Sequence, residues 1–221
     1  MQRKNRRILT ITFLTIAMLL GVFKGATWSK SFSPNVHWTF CIDTSGSMKS
    51  KGHMDLLNLV TTKISQEFLD AKKGIIKQGD RISVFSFDDR SRLEATALYQ
   101  TQNDLTTIKK KLKDMNKRRG SLTFISEAVV KAVQFTETYD QFFKTNALYV
   151  FTDGKSEPYS DKWPKAKIEK RKKKDAENFA KISLFKKDRE LNVWLGVLKW
   201  EAFADAESLV KKMGKADILS T

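Results

Sequence analysis

From position 36 onward, short unbroken apolar runs alternate with longer stretches in which apolar residues return every three or four positions. Residues 36–42 form such a run, rich in aromatic and β-branched side chains, and predict a buried strand that Asp43 ends. Within 53–71, Met54, Leu57, Val60, Ile64 and Phe68 keep the spacing of an amphipathic helix, with Gly74 following as a stop signal. Residues 81–87 predict a second strand, 92–99 a shorter and more polar edge strand, and 105–115 a basic helix before the Arg118-Arg119-Gly120 loop. Helix is expected again at 124–135 and 175–188, strand at 147–152 and 191–198, a closing helix at 204–213 and a last short strand near Ile218. This alternation gives an α/β fold, a doubly wound and mostly parallel central sheet flanked by helices. In such sheets ligands bind beyond the carboxyl ends of the strands. The places to search are therefore just after Ile42, Phe87, Thr152 and Leu198.

The chain opens differently. Met-Gln-Arg-Lys-Asn-Arg-Arg precedes residues 8–23, a run without a charge that Lys24 ends. A basic cluster ahead of an apolar run sets orientation during membrane insertion, so 1–30 is expected to act as a signal peptide or signal anchor with its basic end left in the cytoplasm. The run is slightly long for the apolar part of a cleaved signal and slightly short for a bilayer span, so its length does not decide between the two. Lys24 spoils a cleavage site after Ala26 and leaves weaker ones after Ser29 or Ser31. Residues 31–221 then form one domain, exported and extracytoplasmic, with the membrane anchor at 8–23 if it is retained. With 3 Pro, 10 Gly and 41% apolar residues, the composition suits one packed core and argues against long disordered stretches. Cys41, the single cysteine, cannot form an intrachain disulfide and fits a small core residue.

Three pieces carry the candidate chemistry: Asp43-Thr44-Ser45-Gly46-Ser47 after the first strand, Thr123 before a helix, and Thr152-Asp153-Gly154 after a later strand. Carboxylates and hydroxyls without His or Cys are hard oxygen donors, suited to Mg²⁺, with Mn²⁺ or Ca²⁺ as alternatives, and poorly suited to Zn²⁺. Asp-x-Ser-x-Ser, a Thr and an Asp-Gly in this order resemble the metal-ion-dependent adhesion site of von Willebrand factor type A domains. Residues 79–87 resemble that family's second strand and 123–129 its Thr-led helix, so the likeness spans about 36–219. It implies a Rossmann-like fold, a Mg²⁺ site made by Asp43, Ser45, Ser47, Thr123 and Asp153, and a binding role rather than catalysis. The family commonly has Gly-Gly directly before the Thr, whereas this chain has Ser121-Leu122 with Gly120 farther back.

Other chemistries fit less well. Aspartic proteases need Asp-Thr followed directly by Gly, and in twofold; here Ser45 intervenes and Phe151-Thr152-Asp153-Gly154 is no second copy. A haloacid-dehalogenase-type phosphotransferase needs an acid where Ser45 stands. Either motif alone would suit a helix cap. His37 and His53 lie near no Ser or acid pattern that suggests a nucleophile and base. Trp38, Trp163, Trp194 and Trp200 suit core or rim positions, Glu94, Glu127 and Asp140 read as surface acids, and Asp88 and Asp89 as turn residues or support for the site.

Charge sharpens the choice of partner. Of 41 basic and 25 acidic residues, six basic and no acidic ones lie in 1–30, which leaves +10 for the rest. Residues 162–189 hold 12 basic residues against 4 acidic ones. An exported domain rarely meets nucleic acid, so anionic lipid, a cell-wall polymer or an acidic protein comes before it as the partner of this segment; the resemblance at the metal site implies a partner protein bearing acidic residues, one carboxylate of which completes the metal shell. The alternative function is attachment of 162–189 to anionic lipid or a cell-wall polymer, with the metal site only structural; for the segment itself the preferred reading is the plain one, a solvated helix face.

Overall fold

The computed structural model describes residues 36–49, 55–115, 120–139, 142–143, 145–153, 159–184, 191–197 and 217–218. The expected targeting segment, Gly154 and the expected closing helix at 204–213 lie outside them. Among the described residues, no helix is long and apolar enough to cross a membrane.

The central strand β1 (Val36–Asp43) is buried along its whole length. It pairs in parallel with β2 (Arg81–Phe87) on one side and β4 (Thr145–Thr152) on the other. A strand covered on both faces and both edges is mostly apolar, which explains its run of Val36, Trp38, Phe40, Cys41 and Ile42 around the buried His37 and Thr39. Beyond β2 lies β3 (Ser91–Leu98), antiparallel and at the sheet edge; beyond β4 come β5 (Leu191–Val197) and β6 (Asp217–Ile218), both parallel. The order β3-β2-β1-β4-β5-β6 places the first half of the chain on one side of β1 and the second half on the other.

Alternate residues of the strands feed two cores. Trp38, Phe40 and Ile42 pack with Leu57, Val60 and Phe68 of the first helix, α1 (Leu56–Lys63) and its wider π-type continuation Ile64–Phe68, and with Ile108 and Leu112 of α2 (Gln102–Met115). On the opposite face Cys41, Phe85, Leu148 and Val150 meet α3 (Ile125–Glu137) and Phe179 and Ile182 of α4 (Lys165–Leu184). Helices thus cover both faces, as the doubly wound expectation requires. Cys41 is a buried core thiol, and burial raises its pKa well above the usual range.

The elements match the sequence expectations closely except at α4, which begins ten residues before the expected start at 175. Apolar spacing is carried by Phe179 and Ile182 in its second half, while the first half offers only Ile168 among lysines. The missed signal is Pro164, which needs no N–H partner at a helix start and whose carbonyl accepts the N–H groups of Lys167 and Ile168.

His37 generates a pH dependence. Its ring is fully buried among Phe135, Tyr139 and Phe143, with Nε2 2.8 Å from the Ser83 hydroxyl. Loss of hydration, and next the Arg81 charge, depress its pKa to about 3. Unfolded histidine titrates near 6.5, so below that pH the unfolded chain takes up a proton that the folded domain refuses. This contribution is complete above pH 6.5 and is lost as pH falls toward 3, at up to about 1.4 kcal/mol per pH unit. Urea unfolding between pH 4 and 6 should show that slope removed in His37→Phe; the same slope in both proteins would contradict the assignment.

Candidate functional site

The site is built where β1 stops. Asp43 is 0 % exposed, and its carboxylate is held from two directions: Oδ1 accepts the Ser45 N–H at 2.8 Å and Oδ2 accepts the Thr152 hydroxyl at 2.7 Å. Thr152 ends β4, 109 residues away, so the second bond exists only because β1 and β4 are neighbours. Burial raises the Asp43 pKa to about 7 against the pull of those hydrogen bonds, and repulsion from Asp153 adds to the rise. Asp153 is itself buried.

After Asp43 the chain turns through Thr44 into a short 3₁₀ segment, Gly46–Lys49. The Ser45 hydroxyl is buried and the Ser47 hydroxyl faces solvent, and the two lie 3.0 Å apart. The turn is fastened to β2 by the Thr44 N–H, which donates to the Phe87 carbonyl at 2.7 Å.

The loop carrying Thr123 docks onto this turn by backbone. Gly46 N–H donates to the Gly120 carbonyl at 2.8 Å, and Gly120 N–H donates to the Thr44 carbonyl at 3.1 Å. Phe124 N–H donates to the Asp88 carbonyl at 2.9 Å, and Thr123 between these anchors is buried. Asp88 is fixed in turn by Arg92, whose two terminal nitrogens each lie 3.0 Å from one carboxylate oxygen, a bidentate and well-oriented pair. Asp88 and Asp89 therefore differ: Asp88 supports the site, while Asp89 sits at the rim. A Cβ on Gly120 would stand 2.0 Å from the Asp88 Cβ, so no side chain fits there. The glycine displaced from the position directly before Thr123 is the contact that lets this loop close on Asp88.

Asp43, Ser45 and Ser47 are linked by hydrogen bonds, Asp153 repels Asp43 electrostatically, and Thr123 is buried on the loop that docks onto their turn. Among the described residues, no group of three or more His, Cys, Asp and Glu is placed to hold a metal. The donors at this edge are two carboxylates and hydroxyls, a hard set that fits Mg²⁺ and not Zn²⁺.

A family model described as the von Willebrand factor type A domain matches residues 38–155, more than half of the chain and all three motifs. The chain belongs to the von Willebrand factor type A family. No curated protein matches it. Among solved structures this type A domain is similar to the PilB minor pilin from Streptococcus sanguinis, at 12% identity and TM-score 0.59 over 86% of this chain and 58% of the pilin. It is also similar to a von Willebrand factor type A protein from Catenulispora acidiphila, at 14% identity and TM-score 0.56 over 86% of this chain and 39% of that one. A third likeness is to an aerotolerance-related membrane protein from Bacteroides fragilis, at 13% identity and TM-score 0.53 over 85% and 92% of the two chains. At these identities the likeness is one of fold, and the domain spans less than two thirds of the pilin's length.

Two residues play parts that the sequence reading did not give them. Glu127, expected on the surface, is only 8 % exposed and gathers three cations: Lys131 at 2.9 Å, Lys174 at 2.8 Å and Arg171 at 3.6 Å. Burial raises its carboxyl pKa, but the bonds from Lys174 and Lys131 outweigh that and leave it below its usual value. The i,i+4 spacing to Lys131 was visible in the sequence; the contacts from α4 were not. Glu94 is half-buried and accepts a bond from the Ser86 hydroxyl, and Asp140 lies outside the described residues. Trp38 is core, Trp163 is half-buried under the Lys167 ammonium at 3.6 Å, Trp194 lies within β5, and Trp200 lies outside.

Replacing Gly120 by Ala should therefore cost about 3 kcal/mol through forced displacement of Asp88, or roughly 6 to 12 °C in melting temperature for a domain of this size. Thermal melts of Gly120→Ala and wild type would test this. An unshifted transition would show that the loop does not depend on the close approach.

Proposed function

We propose that this domain binds Mg²⁺ through Asp43, Ser45, Ser47, Thr123 and Asp153 and uses the ion to capture a carboxylate of a partner protein outside the cytoplasm. The reading rests on one observation above all. Two carboxylates from strands about 110 residues apart in the chain converge at one sheet edge beside a pair of serine hydroxyls 3.0 Å apart. Packing alone gives no reason to bury like charges together, whereas a divalent cation offsets their repulsion. Mn²⁺ or Ca²⁺ would suit the same donors.

When bound, Mg²⁺ supplies an open coordination position that an outside carboxylate can fill. The chain's own residues do the rest. Thr152 and the Ser45 N–H orient Asp43, the Gly120 loop delivers Thr123, and Ser45 and Ser47 contribute neutral oxygens that leave positive charge unspent. His37 lies near the other end of β1, closed off among aromatic rings and away from this edge. Export is proposed from the sequence of residues 1–30.

An ion bound only by the folded form stabilises it by about 2.7 kcal/mol at 100 times its Kd, so Mg²⁺ should raise the melting temperature by roughly 5 to 10 °C. Asp43→Ala combined with Asp153→Ala should abolish that rise. If the double variant keeps it, the ion binds elsewhere.

Ser45→Ala with Ser47→Ala should weaken partner capture in pull-downs while the fold, judged by circular dichroism, is kept. Mn²⁺ added after chelation should restore capture by the wild type. A partner that binds equally well with every acidic residue of its interface neutralised would rule out the carboxylate mechanism.

A further inference from the structure

The basic helix α4 is fixed against the rim of the site. Arg171 donates to the Asp89 carbonyl at 2.8 Å, stacks on Phe124 with its guanidinium carbon 3.7 Å from the ring centre, and lies 3.6 Å from Glu127. Lys174 bonds Glu127 at 2.8 Å. Phe124 directly follows Thr123, and Asp89 directly follows the Asp88 clamp, so these contacts tie the first half of α4 to the same loops that build the site. Arg171 is thereby committed to internal contacts. Exposed around it are Lys165, Lys167, Lys170 and Lys173, none of which pairs with an acid among the described residues. The nearest compensating acid on the helix, Glu169, is already bonded to Lys172 at 3.0 Å. Lys167 rests on the Trp163 ring at 3.6 Å, which holds that ammonium near one position.

We propose that this face of α4 is the second half of the docking surface, and that the partner presents an acidic segment: one Asp or Glu at the metal site, followed within a few residues by further acids lying along Lys165–Lys174. The inference rests on the carboxylate-capture reading and narrows its partner to a protein with clustered acids.

Two features suit an acidic peptide. At 100° per residue Lys167, Lys170 and Lys173 fall within about 120° of one another, a stripe along one side of the helix that an extended chain can follow. The stretch from Lys165 to Lys174 is about 15 Å long, which four or five extended residues span.

The test uses the full-length chain and two fluorescent peptides of equal length, one with a single Asp among Gly and Ser, the other with that Asp followed by three Glu. In Mg²⁺ the acid-rich peptide should bind roughly tenfold more tightly at physiological ionic strength, several rim pairs each adding a little. That advantage should vanish in Lys167→Glu, Lys170→Glu, Lys173→Glu, and in the corresponding Gln variant, which guards against effects of misfolding. The single-Asp peptide should bind all three proteins alike. Equal affinity of wild type for both peptides would overturn the proposal, as would an advantage that survives the lysine changes. Binding to vesicles containing phosphatidylserine that the lysine changes abolish, without any peptide preference, would assign the face to a membrane instead. Tight, lysine-dependent binding of the acid-rich peptide that persists in chelator would sink the metal reading and overturn the two-part surface, leaving the lysines as an acid-binding face on their own.

Discussion

A carboxylate buried at the end of the central strand is the constraint around which this domain is arranged. Removing such a group from water costs several kcal/mol unless it is paired or hydrogen-bonded. At Asp43 that cost is met only in part. Ser45 and Thr152 supply two donors, yet burial, with a smaller push from Asp153, still raises the carboxyl pKa to about 7. Much of the surrounding geometry serves to keep this unfavourable group in place. The β1–β4 pairing brings Thr152 within reach, and the Thr44 anchor on Phe87 fixes the turn that carries the Ser45 N–H.

The same logic explains why the support of the site lies in features that look unremarkable in the sequence. Gly120 is three residues before Thr123, where the family pattern would place the glycines nearer. Its role follows from the absence of a side chain: it lets the loop approach Asp88 closely while its own N–H and carbonyl pair with the Asp43–Ser47 turn. Arg92, one strand away, holds the Asp88 carboxylate bidentately, so its charge contributes at a buried position where a surface pair would be screened. The clamp therefore runs from β3 through Asp88 and Gly120 to Ser45.

What was legible in the sequence was whatever depends on near neighbours in the chain. The run at 36–42, the spacing of Leu57, Val60, Ile64 and Phe68, and the polar strand at 92–99 each encode an environment directly, and β1, α1 and the edge strand β3 appear where expected. The residues of the candidate site were read for a different reason, their resemblance to the family's Asp-x-Ser-x-Ser, Thr and Asp-Gly pattern, with the acids just after buried strands and Thr123 ahead of a helix. Glu127 was misread because its burial is produced by α4, whose Arg171 and Lys174 lie 44 and 47 residues farther along. Nothing local to Glu127 announces those partners. The early start of α4 was missed because periodicity marks only the buried part of a helix, and its first turns are mostly solvated.

β1 carries two buried ionisable groups near its opposite ends, and they respond to pH in opposite senses. His37 has a depressed pKa, so its share of stability is lost as pH falls below 6.5; Asp43 has a raised one, so its share is present near pH 4 and lost as pH rises through about 7. The difference lies in their surroundings. His37 is closed in by Phe135, Tyr139 and Phe143 and donates or accepts only within the core, so a neutral ring suffices there. Asp43 adjoins a solvent-facing hydroxyl through Ser45 and Ser47, and it shares its edge with a second acid. An apolar or neutral residue would fill the position at lower cost if packing were its only task. The carboxylate is intelligible when its compensation comes from outside the chain, and the lysines of α4 beside it extend the same imbalance in the opposite sign: negative charge collected inside the site, positive charge left uncompensated at its rim. The ligand we propose, one cation and several carboxylates, would answer both.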